Sequence, residues 1–252
     1  MKRILASIGI LAILFAYSGM VFAAEGAGIS ADEALARLID GNKRFVEGKQ
    51  AQQDIGDARR TELAKGQHPF AVILSCSDSR VPPEHIFDQG LGDIFVVRVA
   101  GNIADPIELG SIEYAVEHLG SPLILVLGHQ MCGAVKATVD GGRPEGNIGS
   151  IVKKIAPSVK KAKAQVKEKD KLLDAAILEN TKNTAAALTQ KSAIIKHLVE
   201  EKKVKIAAGV YNMTTGKVEM IETAAEEKGH AAHEHEHVHA HSDAEQHSHA
   251  GH

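Results

Sequence analysis

Phe70-Ala71-Val72-Ile73-Leu74-Ser75-Cys76-Ser77-Asp78-Ser79-Arg80 and Leu123-Ile124-Leu125-Val126-Leu127-Gly128-His129-Gln130-Met131-Cys132 are the two stretches on which the fold of this chain turns. Each opens with a short aliphatic run bounded by Gly or Pro, which reads as a strand buried on both faces of a mainly parallel sheet. Each closes on residues that carry chemistry. The chain has two cysteines, and each stretch holds one. Side chains that leave the carboxyl ends of two parallel strands meet in the crevice where open α/β sheets place their sites.

Two cysteines admit two readings, a single disulfide or a pair of metal ligands. Two thiols and an imidazole are ligand types that zinc prefers, and three protein ligands leave one tetrahedral position for water or substrate. Cys76, His129 and Cys132 supply that set. Asp78 and Arg80 follow the first cysteine closely enough to reach the open position from a tight turn. An isolated Asp-x-Arg is ordinarily a surface ion pair; beside a ligand cysteine it reads as part of the site. The carboxylate could orient a metal-bound hydroxide or bind the metal itself. A bidentate hold by Arg80 would keep it off the metal, because guanidinium geometry matches both carboxylate oxygens.

The pattern CSDSR followed by HxxC resembles the β-class carbonic anhydrase family. The likeness runs from about Ala34 to Ile221 and takes in Gln67-His68-Pro69, Arg98-Val99-Ala100-Gly101-Asn102 and Ser111-Ile112-Glu113-Tyr114-Ala115-Val116. It implies an α/β fold, a central and mostly parallel sheet flanked by helices, with N-terminal helices packed on a partner subunit in a homodimer or tetramer. One zinc ion per subunit would be held by Cys76, His129 and Cys132. The implied reaction is reversible hydration of carbon dioxide to bicarbonate and a proton by zinc-bound hydroxide. Asp78 and Arg80 would gate and orient the fourth zinc position, with Asp78 as fourth ligand in a closed form. The plant-like subgroup implies a substrate pocket of Gln67, which donates a hydrogen bond, Phe95, an apolar wall, and Tyr114; Gly133 would present a backbone N–H at a helix start. Some bacterial relatives carry a second, inhibitory bicarbonate site built partly from tryptophan, and this chain has no Trp. Close relatives also hydrolyse small linear molecules such as carbon disulfide, which is a second reading for the same scaffold.

Carbon dioxide is a weak electrophile, so hydroxide has to be supplied near neutral pH, and zinc does so by acidifying its bound water. Two thiolates and one imidazole make the centre formally neutral, where three imidazoles would leave it at the full charge of the ion. A neutral centre attracts hydroxide less, and activity is expected to grow towards alkaline pH.

Lys2 and Arg3 precede an apolar run from Ile4 to Phe15, and Val21-Phe22-Ala23 offers small residues at the cleavage positions. Residues 1–23 therefore read as a secretory signal peptide, with a bacterial periplasm as destination. The run is short for a span and Ser18-Gly19 interrupts it, which argues against stable membrane insertion. Residues 24–225 form one domain of ordinary size. Residues 30–66 carry helical spacing, with Ser30 or Asp32 as caps. From Ile151 to Lys203 the pattern is helical, with Pro157 as a break or first-turn residue. Its lysines Lys153, Lys154, Lys160, Lys161 and Lys163 are followed closely by glutamates and aspartates in a chain of formal charge −3, which reads as a solvated face and not a nucleic-acid surface. Val204 to Ile221 reads as strand, turn and strand. His68, His85, His118 and His197 stand singly, and His85 is the one placed to carry a proton away.

Nine histidines crowd into His230 to His252 among Glu, Ala and Ser without apolar periodicity, so residues 226–252 read as a disordered tail. Imidazoles and carboxylates bind zinc, nickel and copper. The tail alone would suit a periplasmic zinc-binding or buffering protein; attached to this domain it suits capture of extra metal ions that load the site, or proton buffering. Deleting residues 230–252 should slow zinc acquisition under limitation while leaving turnover of the loaded protein unchanged. Unchanged loading kinetics would reject metal capture.

Overall fold

Ala71–Ser75 (β1), Ile94–Arg98 (β2), Leu123–His129 (β3), Lys205–Tyr211 (β4) and Val218–Ile221 (β5) form one sheet in the order β2-β1-β3-β4-β5. The computed structural model describes residues 28–142 and 144–221. The signal peptide expected at 1–23 and the tail expected at 226–252 lie outside the described residues. β2, β1, β3 and β4 run parallel, and β5 turns back antiparallel on β4. This is the mostly parallel α/β sheet expected above.

The chain leaves β1 towards one side to form β2 and then crosses back to form β3 on the other. That reversal opens a crevice between the carboxyl ends of β1 and β3, the place where doubly wound sheets bind their ligands. Register sets the crevice: Ser75 lies opposite Leu127, so Cys76 and His129 emerge side by side.

Period-two alternation divides the aliphatic residues between two cores. Ile73, Leu125, Leu127 and Ala207 face a cluster with Leu38, Phe87, Val135, Ile155, Val159 and Ile177. Val72, Leu74, Ile124 and Val126 face another with Ile112, Val116, Leu188 and Ile195. Helices Ala31–Val46 (α1), Pro83–Ile86 (α3), Gly133–Asp140 (α5) and Ile148–Gln165 (α6) serve the first face; Pro106–Glu117 (α4) and Ala193–Glu200 (α8) serve the second. Lys169–Lys191 (α7) reaches both. A short helix, Asp57–Leu63 (α2), buries none of its residues.

Ser30 caps α1 in a capping box with Glu33, each side chain taking a backbone N–H of the other residue. Pro157 corrects its expectation: it neither breaks a helix nor opens one, but lies inside α6. It sits on the exposed face, where water can reach the carbonyl freed by its missing N–H, while Ile155, Val159 and Ala162 hold the opposite face in the core. The five lysines expected to be solvated are exposed.

α7 approaches β3 most closely at Gly128, one residue before His129. A Cβ there would overlap the Thr181 hydroxyl, while the Cβ and Cγ2 of Thr181 would remain in ordinary contact at 3.4 and 3.6 Å. Gly128→Ala should therefore destabilise the fold by about 1–3 kcal/mol. Adding Thr181→Ala should recover most of that loss in urea unfolding. A double variant no more stable than Gly128→Ala would show that the clash is not the cause.

Candidate metal centre

Three local structures deliver the three polar atoms. Cys76 follows the last residue of β1, and His129 is the last residue of β3. The Gln130 N–H still donates to the Tyr211 carbonyl at 2.9 Å, which carries the β4 pairing one residue past His129. Met131 then takes a left-handed conformation, φ 56°, reversing the chain so that Cys132 becomes the N-cap of α5. The spacing of His and Cys is thus a strand end, one turn and a helix start.

Among the described residues, Cys76, His129 and Cys132 form a group whose ligand atoms all lie within 4.8 Å of one another. All three residues are buried, and both cysteines are free thiols, so the disulfide reading does not hold. Zinc bonds of about 2.0 Å to nitrogen and 2.3 Å to sulfur place tetrahedral ligand atoms roughly 3.5–3.8 Å apart, a spacing this group can meet.

The imidazole supplies an independent test of fit. His129 Nδ1 lies 2.8 Å from the Gln130 carbonyl oxygen, so it carries the proton and leaves the Nε2 lone pair free. Nε2 is buried and has no hydrogen-bond partner, an expensive state for a polar atom unless a cation takes the lone pair. The sulfurs point to the same conclusion. Cys76 is pushed far below the usual thiol range, chiefly because the Cys132 thiol donates to it, with further help from the adjacent His129 ring and from the Gly101 N–H at 3.3 Å. The same contact and burial push Cys132 up, against the pull of the N–H groups of Val135 and Ala134 at the start of α5. Two buried sulfurs side by side, one of them readily ionised, suit a cation.

Asp78 and Arg80 stand at the rim. Arg80 Nε donates to Asp78 Oδ1 at 2.9 Å and its terminal nitrogen to Oδ2 at 2.7 Å, while the Arg80 backbone N–H adds a bond at 3.0 Å. These bonds hold the Asp78 carboxyl well below the usual carboxylate range. Asp78 is not among the converging ligands; its carboxylate is turned to Arg80.

Two contributors lie in the stretch Arg98 to Asn102 but were given no role from sequence. Arg98, at the carboxyl end of β2, donates to the Cys76 and Asp78 carbonyls and so fixes the loop that carries both. A cation closing an otherwise apolar strand was the available signal. Gly101 gives its N–H to Cys76, and no local pattern could have paired residues that far apart.

The expected pocket residues do not converge on this centre within one chain. Phe95 pairs with Val72, four residues and about 13 Å of strand before Cys76. Tyr114 packs beside Phe95 with ring centroids 6.4 Å apart and is 48% exposed. Gln67 is exposed and precedes β1 altogether. Close by, a surface hollow of about 420 Å³ is lined by residues including Arg37, Arg59, Lys65, His68, Phe70 and Asp93, at the opposite end of the strands from the ligands. Gly133 does lie at the site, exposed at the first position of α5, with open space where a Cβ would project.

Residues 71–218 match the family model described as carbonic anhydrase. A carbonic anhydrase of Mycolicibacterium smegmatis is 42% identical over 188 residues, 73% of this chain and 89% of the relative. Carbonic anhydrase 2 of Mycobacterium tuberculosis is 53% identical over 126 residues, 48% of this chain and 61% of the relative. Among solved structures, the β-carbonic anhydrase CcaA aligns with TM-score 0.60 and 27% identity over 75% of this chain and 95% of its own. A Coccomyxa β-carbonic anhydrase in complex with acetazolamide aligns with TM-score 0.61 and 26% identity over 74% and 86%.

Proposed function

The chain belongs to the β-class carbonic anhydrase family, and we propose that it hydrates carbon dioxide reversibly at a single zinc ion per subunit held by Cys76, His129 and Cys132. The observation that carries this reading is the convergence of two buried free cysteine sulfurs on a buried imidazole nitrogen with no partner. Bound zinc would supply hydroxide at near-neutral pH by acidifying its water.

The remaining roles fall to the chain's own groups. Arg80 holds both oxygens of Asp78 and so keeps the carboxylate from the fourth coordination position, where it can instead accept a hydrogen bond and orient the nucleophile. Release of Asp78 from Arg80 would let it fill that position and close the site. The depressed Asp78 pKa means that the carboxylate stays charged as pH falls through the ordinary carboxylate range and is protonated only well below it. Closure in mild acid is therefore a change of partner for a charged Asp78, not its protonation. The Gly133 N–H, beside Cys132 at the positive end of α5, suits an anionic product.

The separation of Gln67, Phe95 and Tyr114 from the ligands supports a site shared between two subunits. β2 is an edge strand whose Ile94, Phe95 and Val96 are only half-buried. Two such edges related by a two-fold axis would pair antiparallel, bringing the Phe95 end of one β2 to the Arg98 end of the other. Arg98 already touches the loop of Cys76 and Asp78. Each subunit would then furnish the zinc ligands of one pocket and the Gln67, Phe95 and Tyr114 of the next. Helix α2 buries none of its residues within the chain, which leaves an N-terminal face to embrace a partner.

Stopped-flow proton release on mixing with carbon dioxide should be accelerated by zinc-loaded protein and abolished by Cys76→Ala. Arg80→Ala should lower kcat/KM by roughly 10–100-fold, most at the acid end. Zinc binding without acceleration would leave the buffering reading standing, and turnover of carbon disulfide alone would favour the hydrolase. Refolding a mixture of Gln67→Ala and Cys76→Ala chains should restore activity that neither has alone, because each mixed dimer holds one intact site. Activity no greater than that of the separate variants would place Gln67 in its own chain's site or outside any.

A further inference from the structure

The bond from the Gly101 N–H to Cys76 depends on a turn that the catalytic reading does not use. Asn102 N–H donates to the Val99 carbonyl at 2.9 Å, closing a four-residue turn with Gly101 at its third position and φ 77°. Positive φ there is the mark of a type II turn, and it aims the central N–H at the Cys76 sulfur. Flipping that central peptide to the type I arrangement would turn the N–H away. Glycine is required twice over, because a Cβ would also meet Ile155 Cδ1 at 2.6 Å.

The turn is held from the other side by α7. Asn180, 2% exposed, donates from Nδ2 to the Gly101 carbonyl at 2.8 Å. Which end of the amide faces Gly101 is fixed by its neighbours. Asn183 Nδ2 donates to the Ser158 hydroxyl at 2.9 Å, and that hydroxyl, buried beside Asn180 Oδ1 at 3.4 Å, is left to donate its own proton there. The oxygen of Asn180 therefore points to Ser158 and its NH₂ group to Gly101. A continuous chain of hydrogen bonds runs from Asn183 through Ser158, Asn180 and Gly101 to the Cys76 sulfur.

We propose that Asn180 is a positioning residue for the metal centre: by clamping the Gly101 carbonyl it keeps the turn in the conformation whose N–H loads the Cys76 thiolate. An N–H donor withdraws electron density from a thiolate and so tunes what the sulfur gives to a bound metal. The inference rests on the reading of Cys76 as a ligand. It adds a residue 104 positions away in sequence that touches neither metal nor substrate.

Cobalt substitution separates the two. The wild-type protein loaded with cobalt should show a thiolate-to-metal charge-transfer band in the near ultraviolet. Absence of that band would defeat the ligand assignment itself. With the band present, Asn180→Leu, of similar volume but without a donor, should move it to lower energy and weaken zinc about 10-fold or more against a competing chelator. Where Asn180→Leu does not fold, the smaller Asn180→Ser, too short to reach Gly101, carries the same measurement. A folded variant that keeps the wild-type band energy would reduce Asn180 to a core-filling amide and overturn the proposal.

Discussion

The register of β1 on β3 is the constraint from which the rest of the molecule follows. Ser75 against Leu127 brings the carboxyl ends of two parallel strands level, and a sulfur and an imidazole nitrogen emerge there within 4.8 Å of each other. A slip of one residue would send every side chain of β1 to the opposite face and exchange its two sets of core partners. The register is secure because both faces are buried, Ile73 and Leu125 in one core and Val72, Leu74 and Val126 in the other. Gly128 then lets α7 close against β3 immediately before the ligand. The centre is as rigid as the sheet that carries it.

That rigidity sustains an arrangement unfavourable by itself. Two crowded sulfurs and an unpartnered imidazole nitrogen, all buried, lack the solvation each would have in water. The surrounding groups moderate this without removing it. Backbone N–H groups from Gly101 and the start of α5 face the sulfurs, Arg98 braces the loop, and Arg80 engages the nearest carboxylate. A divalent ion held by the three ligands would supply positive charge at their centre.

The opposite end of the sheet carries complementary features with no ligands of their own. Phe95, on a half-buried edge strand, packs beside Tyr114, and the exposed Gln67 precedes the amino end of β1. A parallel sheet has polarity, so a two-fold axis at its edge sets the amino end of one subunit against the carboxyl end of the next. Under the proposed function, this polarity makes one chain half of each pocket.

Much of the fold was legible in the sequence because its determinants are local. Aliphatic runs marked β1 and β3, Ser30 was one of two caps offered for α1, and the two thiols and His129 named the ligand set by chemical type. Pro157 misled because a local rule was overridden by packing: one face of α6 is held in the core while its proline faces water. The roles of Arg98 and Gly101 stayed hidden because each acts across more than twenty residues of chain, through contacts that only the sheet order creates. The residues of the proposed pocket were nameable from sequence, but not their distance from the ligands. The sequence by itself determined which atoms could bind a metal, since that depends on residue type. The tertiary structure alone decided which atoms meet, because strand register, turn geometry and the close approach of α7 fix distances that no local pattern encodes.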